Sequence, residues 1–561
     1  MHRTVRLLWV ALAISACKEV DTQWDVPAAP DYPTLGLRGS VAVVDSRLNR
    51  LVMLTAPSQH ELKTHFISVG KNPTHWVPSA DRKRLFVLSR GMQSAKENIP
   101  PSLTAVDGGT SPAVCARFEL DKPYEQIALD PHREWAVIHN ADTYAENPDE
   151  IIFAHLAPDA DCRHLTEKER NRDVTQVTLG GEAIDLGDAL QEDAFSFTDK
   201  LEWPGGARRM LVVRRTETVQ LVDLDQVQEH PDQAQHVLEM PEIRTNQFGL
   251  PAQVVYHPSV PDPDGSHHAW LAVRLGNDTS VLIYKVEDPA ETSSSSVAFN
   301  RNIADVGGTA TDIEFVTTPE GLKLAALVPS RQQAVLIDPH TIVTDTIELP
   351  AQYEHMARVT DEVTTGGSAQ DTPDVALLWG SNRSTIAFWT LARTDTRPWG
   401  SLDIRDTEIS VTGATSVTED PDGDLRSRWL LLGTGASEFR VLELLDRDVR
   451  RVVIENDPSF RVSLSPTGAR AWIYSPGNAQ EVALADLSGN VLQIPTRPVY
   501  IERPVDGVFD IERADGGHAA LVLHRGAMVA HGTLAATLFD AEDPESTDSV
   551  FFSGLLLGGV K

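Results

Sequence analysis

Three aspartates, Asp420, Asp422 and Asp424, stand at alternate positions around Gly423. Oxygen-rich calcium loops are built on that spacing, because alternate side chains can converge on one cation. Here the glycine stands one place too early, and no glutamate closes the loop at the expected distance. An Asp-Gly turn between two strands accounts for the same residues and is the preferred reading. Asp262, Asp264 and Gly265 are read in the same way. His267 and His268 are adjacent, and adjacent side chains of a strand point to opposite faces, so they cannot readily chelate one metal; an exposed strand start is expected for both. The chain contains no Gly-x-Ser-x-Gly elbow, no His-Glu-x-x-His pair, no phosphate loop ending in Gly-Lys-Ser/Thr and no Cys-x-x-Cys-His. No cofactor is expected, and calcium at Asp420, Asp422 and Asp424 is the one ion the sequence would admit.

The three cysteines point to export. Arg3 and Arg6 precede the apolar run Leu7 to Ile14, then Ser15, Ala16 and Cys17. This is the charged, apolar and small-residue order of a secretory signal, and the run is too short to span a bilayer. Ile14-Ser15-Ala16-Cys17 resembles the lipobox of bacterial lipoproteins. The resemblance implies removal of residues 1–16 and acylation of Cys17, which would anchor the chain through several acyl chains. Lys18, in place of the aspartate that resembles an inner-membrane retention signal, favours the outer membrane of a Gram-negative-type envelope. Pro27, Pro30 and Pro33 suit an extended tether over 17–38, with a folded body expected from Gly39 to the end. Cys115 and Cys162 remain, and an exported setting permits a bridge between them. Sequence leaves the bridge open, because similar late positions in successive repeats could hold the two too far apart.

A formal charge of -32 disfavours nucleic acid and anionic head groups as partners. With 41% apolar and 23% charged residues the chain is globular in composition. It shows many short apolar runs separated by Pro, Gly, Asp and Asn, and no long helical periodicity, which predicts an all-β body.

The body repeats. Val69-Gly70, then Asn72-Pro73 and His75-Trp76-Val77-Pro78-Ser79-Ala80-Asp81-Arg82-Lys83, lead into Leu85-Phe86-Val87-Leu88. Further copies run through Val306-Gly307 into Leu324 to Val328, Gln126 to Pro131 into Trp135 to Ile138, and Phe460 to Gly468 into Ala471 to Tyr474. Weaker ones occupy Thr415 to Leu432 and Phe509 to Leu523. A second pattern is a strand ending in Asp, at Asp45, Asp107, Asp223, Asp338 and Asp486, where the carboxylate is expected to accept backbone amides of the next turn. Trp76, Trp135, Trp429 and Trp472 recur beside the repeat strands and are read as packing between sheets.

Together the patterns give four short strands at a period near 50 residues, the per-blade period of propeller folds. The Val-Gly, Pro, Ser-x-Asp-x-Lys turn and following strands resemble β-propeller repeats of the YVTN type. That resemblance implies a single propeller of four-stranded blades, seven or eight of them, with the strand at Val41 closing the ring beside the last strands. The Thr-Asn that ends the family's repeat strand is replaced by Ser89-Arg90, His139-Asn140 or Ser475-Pro476, so no ligand carries over. The inserts at Glu167 to Arg170, Ser293 to Ser296 and Thr364 to Thr372 are expected as exposed loops.

Two functional readings remain open on sequence. One is a monomeric, non-catalytic binding or scaffold module for an envelope protein or glycan, touching the membrane through its lipid alone. The other is a propeller enzyme, a lactonase-like hydrolase or a quinone-dependent dehydrogenase, with its site at the central channel. The second requires a cluster of Asp, Glu, His or Asn at the ring axis.

Overall fold

The computed structural model describes residues 33–555, apart from turns and connections of which the longest are 179–193, 230–242, 288–298 and 360–374. The described strands form ten sheets of four or five strands, spanning 34–68, 73–119, 126–178, 195–244, 251–305, 312–348, 355–403, 409–453, 461–500 and 507–552. In each, the first four strands pair antiparallel in chain order, apart from short side excursions. Two short α-helices, Glu167–Arg170 and Leu224–Glu229, lie among them. No helix among the described residues is long and apolar enough to cross a membrane.

Ten sheets exceed the seven or eight expected, and the reason is local. The fifth sheet turns from its first to its second strand through 262–266, and the seventh through 360–374. Those connections hold Asp262, Asp264 and the Thr/Gly insert, and they replace the Ser-x-Asp-x-Lys signal by which a copy is recognised. The fourth sheet carries a two-stranded hairpin, Leu201–Trp203 with Gly206–Arg208, at the same place.

Shared cores join the first sheet through to the seventh and the eighth through to the tenth. Leu51 and Met53 of the first sheet share a core with Leu85 and Val87 of the second. Phe86 and Leu88 then meet Ala136 and Ile138 of the third, and Trp135 and Phe153 meet Leu211 and Val213 of the fourth. The series continues through the seventh sheet, and from the eighth to the tenth. Burial on both faces explains why the second strands read as unbroken apolar runs instead of alternating. Every residue of Val41–Asp45 and Trp135–His139 is buried, whereas the outermost strand Thr344–Glu348 is mostly exposed.

The tenth sheet also packs on the first: Leu521, Leu523 and Leu538 meet Val41, Val43 and Val52. Phe509 sits so close to Gly36 that a Cβ there would lie 2.7 Å from its ring. Arg38 pairs with Glu512 across the same seam. The strand at Val41 thus meets the last sheet, but by face packing, with no strand exchanged between the two. The folded body also starts earlier than Gly39: Thr34–Gly36 is the first strand, paired with Val41 to Val43. Gly39 sits in the turn, where a Cβ would lie 2.6 Å from the Thr110 amide.

The repeat residues have identifiable work. Gly70 lies where a Cβ would be 2.3 Å from Ser102 Oγ and 2.6 Å from Ser89 Cβ, so only glycine lets the chain cross there. Ser79 Oγ accepts from the Arg84 amide, and Ser465 Oγ from Arg470, each at 3.0 Å, closing the turn into the second strand. Asp107, Asp223 and Asp338 accept amides from the turns that follow their strands. Those three end third strands, whereas Asp45 ends the second strand of its sheet. Trp135 and Trp472 are buried between sheets, and Trp76 is partly buried against the core shared by the first and second sheets; the Trp429 side chain lies outside the described residues.

Two side excursions couple neighbouring sheets. Between the third and fourth strands of the third sheet, the chain leaves to lay Asn171–Arg172 parallel to Val114–Glu119, adding a fifth strand to the second sheet. Between the corresponding strands of the ninth sheet, Gln493–Ile494 adds in parallel to Asp448–Val453 of the eighth. Glu167 to Arg170, expected as a loop, is therefore a helical turn leading into the first of these strands. Ser293 to Ser296 and Thr364 to Thr372 lie outside the described residues. Cys115 and Cys162 are disulfide-bonded, with Cα atoms 4.4 Å apart, and tie the first excursion to the strand it joins. The cysteines come within reach because Cys162 sits in that excursion and not in a blade strand.

Candidate functional site

The sheets converge along their first strands. Those of the fifth, sixth and seventh sheets touch in succession, as do those of the second and third and of the ninth, tenth and first. At the end where second strands finish and first strands begin, polar side chains line this inner edge. The sequence marked part of it, since Ser89-Arg90, His139-Asn140 and Ser475-Pro476 all fall at or just beyond second-strand ends.

From the fourth sheet to the seventh, the polar groups form a relay. Arg214 Nη1 donates to the Ala252 carbonyl at 3.3 Å. Arg274 Nε donates to Gln253 Oε1 at 3.1 Å, and Gln253 Nε2 donates to Asp312 Oδ1 at 2.6 Å. Asp312 Oδ2 accepts the Met356 amide at 2.7 Å, and Thr311 Oγ1 donates to the Glu354 carbonyl at 2.8 Å. His355 stacks on Trp379 with ring centroids 5.5 Å apart and stays exposed. Burial raises the Asp312 carboxyl above its usual range, against opposing hydrogen bonds from Met356 and Gln253. Burial lowers Arg274. Both Asp312 oxygens accept hydrogen bonds from within the fold, so this carboxylate positions the seams between sheets. The outward parts of the edge are Arg90, which pairs with Glu125, together with Leu250, Thr311, His355 and Arg461. They offer donors, a cationic bias and one exposed leucine, a mixture suited to binding.

His139 ends the second strand of the third sheet at 1% exposure, with the Phe195 ring 4.6 Å away. Burial pushes its pKa down to about 4, and His75 adds to the effect against an opposing bond at Asn140. The folded value lies below the unfolded one, so the ring is neutral in the fold, and its contribution to stability is present above pH 6.5 and lost as pH falls toward 4. Between pH 7 and pH 5 the expected loss is about 2 kcal/mol. Urea unfolding of wild type and His139→Gln at both pH values checks this: the variant should show a correspondingly smaller pH difference.

The aspartate metal candidates fall on residues that the structure does not describe. Asp420, Asp422 and Asp424 lie outside the described residues, between strands paired through Glu419 and Leu425. Asp262 and Asp264 are outside them too. His267 opens the strand His267–Leu275, but His268 is not exposed as expected: it is 2% exposed and packs edge-on to Trp270, centroids 4.9 Å apart, because that strand lies between two sheets. Among the described residues no group of three or more His, Cys, Asp or Glu could hold a metal ion. Cys17 precedes the described residues. Sequence reasoning missed Gln253, Arg274, Asp312 and His355. Their one signal is position, since each falls at the level where Ser89-Arg90 and His139-Asn140 interrupt the repeat.

No family model matches this chain. No curated protein matches it either. Among solved structures it is similar to the dihydro-heme d1 dehydrogenase NirN, at 12% identity over 94% of this chain and 76% of that one, TM-score 0.32. It is also similar to AztD from Citrobacter koseri, at 10% identity over 77% and 97%, TM-score 0.34. A third likeness is to the periplasmic gluconolactonase PpgL of Pseudomonas aeruginosa, at 12% identity over 66% and 96%, TM-score 0.29. Likenesses this distant assign neither a family nor an activity.

Proposed function

We propose that this protein is an exported lipoprotein, anchored through Cys17, whose ten packed sheets are the blades of one β-propeller that binds an envelope protein or glycan at the inner rim. The observation that carries the proposal is the packing of the tenth sheet on the first. Where both faces of a sheet are covered by neighbours, the surface left for a partner is strand edges and loops. The polar rim through Arg90, Thr311, His355 and Arg461 is the richest of these in outward donors. The leader pattern ahead of Cys17 and the prolines after it support a tethered placement, and Lys18 supports the outer membrane.

A photo-crosslinking residue at the exposed Leu250 of the full, lipidated chain tests the rim in intact cells. A discrete adduct is expected there and not from the same residue at Val343, which is 63% exposed beside an outermost strand. Equal adducts from both positions, or none from Leu250, would refute binding at the rim. Fatty-acid labelling tests the anchor: label should enter the wild type and be lost in Cys17→Ser.

A further inference from the structure

A second polar pocket lies at the same end of the sheets as the rim, outward of Ser89-Arg90, at the seam between the first and second sheets. Its volume is about 330 Å³, and it is lined by Lys71, Arg117, Ser102, Asn49, Glu119 and Ile99 among others. It exists because Gly70 carries no side chain: the chain leaving the first sheet passes hard against Ser89 and Ser102, and leaves open space on its outer side. In Val114–Glu119 a bulge follows Val114, so that Cys115 and Ala116 both face the core, and from Ala116 on the side chains alternate. Ala116 and Phe118 enter the core with the third sheet, so Arg117 and Glu119 turn the other way, into the pocket.

This strand is held more firmly than an outermost strand normally is. Arg117 pairs in register with Asn171 of the added parallel strand, and Cys115, two residues earlier, carries the disulfide to Cys162. The hairpin Met92–Gln93 with Asn98–Ile99 supplies the opposite wall, and Gly91 at φ 73° makes the bend that leads into it. The wall donors are incompletely used. Arg117 Nη2 donates to the Ser68 carbonyl at 3.1 Å, while its Nε is buried with no hydrogen-bond partner, as is Ser89 Oγ behind Gly70.

We infer that this pocket binds an acidic sugar. Arg117 and Lys71 supply the paired cations that recognise a carboxylate. Ser102, Asn49 and Glu119 offer donors and an acceptor for ring hydroxyls, and Ile99 and Val69 offer apolar surface to a sugar's C–H face. The volume accommodates roughly one or two sugar rings. The pocket shares none of the outward rim residues Arg90, Leu250, Thr311, His355 and Arg461, so its ligand is tested apart from the rim's.

Titration of the detergent-solubilised full chain with D-glucuronate, D-glucose and succinate tests the assignment. Saturable binding of glucuronate is expected, with glucose and succinate each at least about tenfold weaker. Arg117→Met and Lys71→Met should each weaken glucuronate about tenfold or more, with thermal unfolding showing that both variants remain folded. Cys115→Ser/Cys162→Ser, which frees the strand bearing Arg117, should weaken it by a smaller factor. No saturable binding of glucuronate, or binding unchanged in both cation variants, would overturn the site. Succinate binding as tightly as glucuronate would overturn the sugar assignment.

Discussion

Asp45→Ala is expected to destabilise the protein by about 3–5 kcal/mol, the cost of removing one partner from a buried ion pair. Asp45 Oδ2 lies 2.9 Å from Arg50 Nε, and both side chains are at 0% exposure. Asp45 Oδ1 also accepts the Leu48 amide at 3.2 Å, and the Arg50 guanidinium lies 4.8 Å from the Phe66 ring centroid. Removing the carboxylate takes the counter-charge from a fully buried guanidinium. The loss is read as a lower urea midpoint with the slope unchanged. Asp45→Ala/Arg50→Met should recover part of it, because the apolar pair leaves no charge behind. A single-variant loss under 1 kcal/mol would show that the pair does not hold this turn.

Removing the disulfide should have an effect of similar size. The bridge joins residues 47 positions apart, and a loop of that length corresponds to about 4 kcal/mol in the chain-entropy description. Cys115→Ser/Cys162→Ser is therefore expected to lower stability by about 4 kcal/mol under oxidising conditions, while reductant should lower the wild type toward the variant and leave the variant unchanged. Increased hydrogen exchange should be concentrated in 114–119 and 167–172, where the added strand is pinned. Such local exchange would show that the bridge also pins the native strand, whereas exchange rising evenly over all sheets would show that it acts through the unfolded chain alone, as the entropy figure assumes.

The seam between the ninth and tenth sheets follows the same logic through Asp510. Burial alone would raise this carboxyl, but hydrogen bonds from His518 and Arg470, the Arg470 charge and Trp472 outweigh it and hold it below the usual carboxylate range. The Arg470 Nε distance is 2.9 Å and the Trp472 Nε1 distance 3.2 Å. This contribution is present above the unfolded carboxylate pKa and is lost as pH falls through the depressed folded value.

Much of the architecture is legible in residues such as Gly70, Ser79, Ser465 and the strand-ending aspartates, because each performs a local backbone task that only a few residue types can perform. All-β character and four strands per repeat follow from them. The number of sheets does not, because a sheet whose turn is replaced by an insert, as in the fifth and seventh, still packs by its apolar strands while losing the signal that identifies it. The disulfide stays open on sequence for a related reason: Cys162 sits in an excursion that joins the preceding sheet, and parallel edge pairing of so few residues leaves no trace in the sequence. The inner rim was legible only as places where the repeat pattern fails, at Arg90 and His139. Gln253 and Asp312 come together from residues 59 apart in the chain, and no spacing rule reaches across two sheets.

Ring closure carries the account, because a closed set of sheets gives a continuous inner rim and an open arc does not. Electron-microscopy averages of the purified full chain viewed along the ring axis are the most direct measurement. They should show ten radial sheets around a central opening, with the first and last in contact. An arc with a gap between 34–68 and 507–552, or two separate smaller rings, would contradict it.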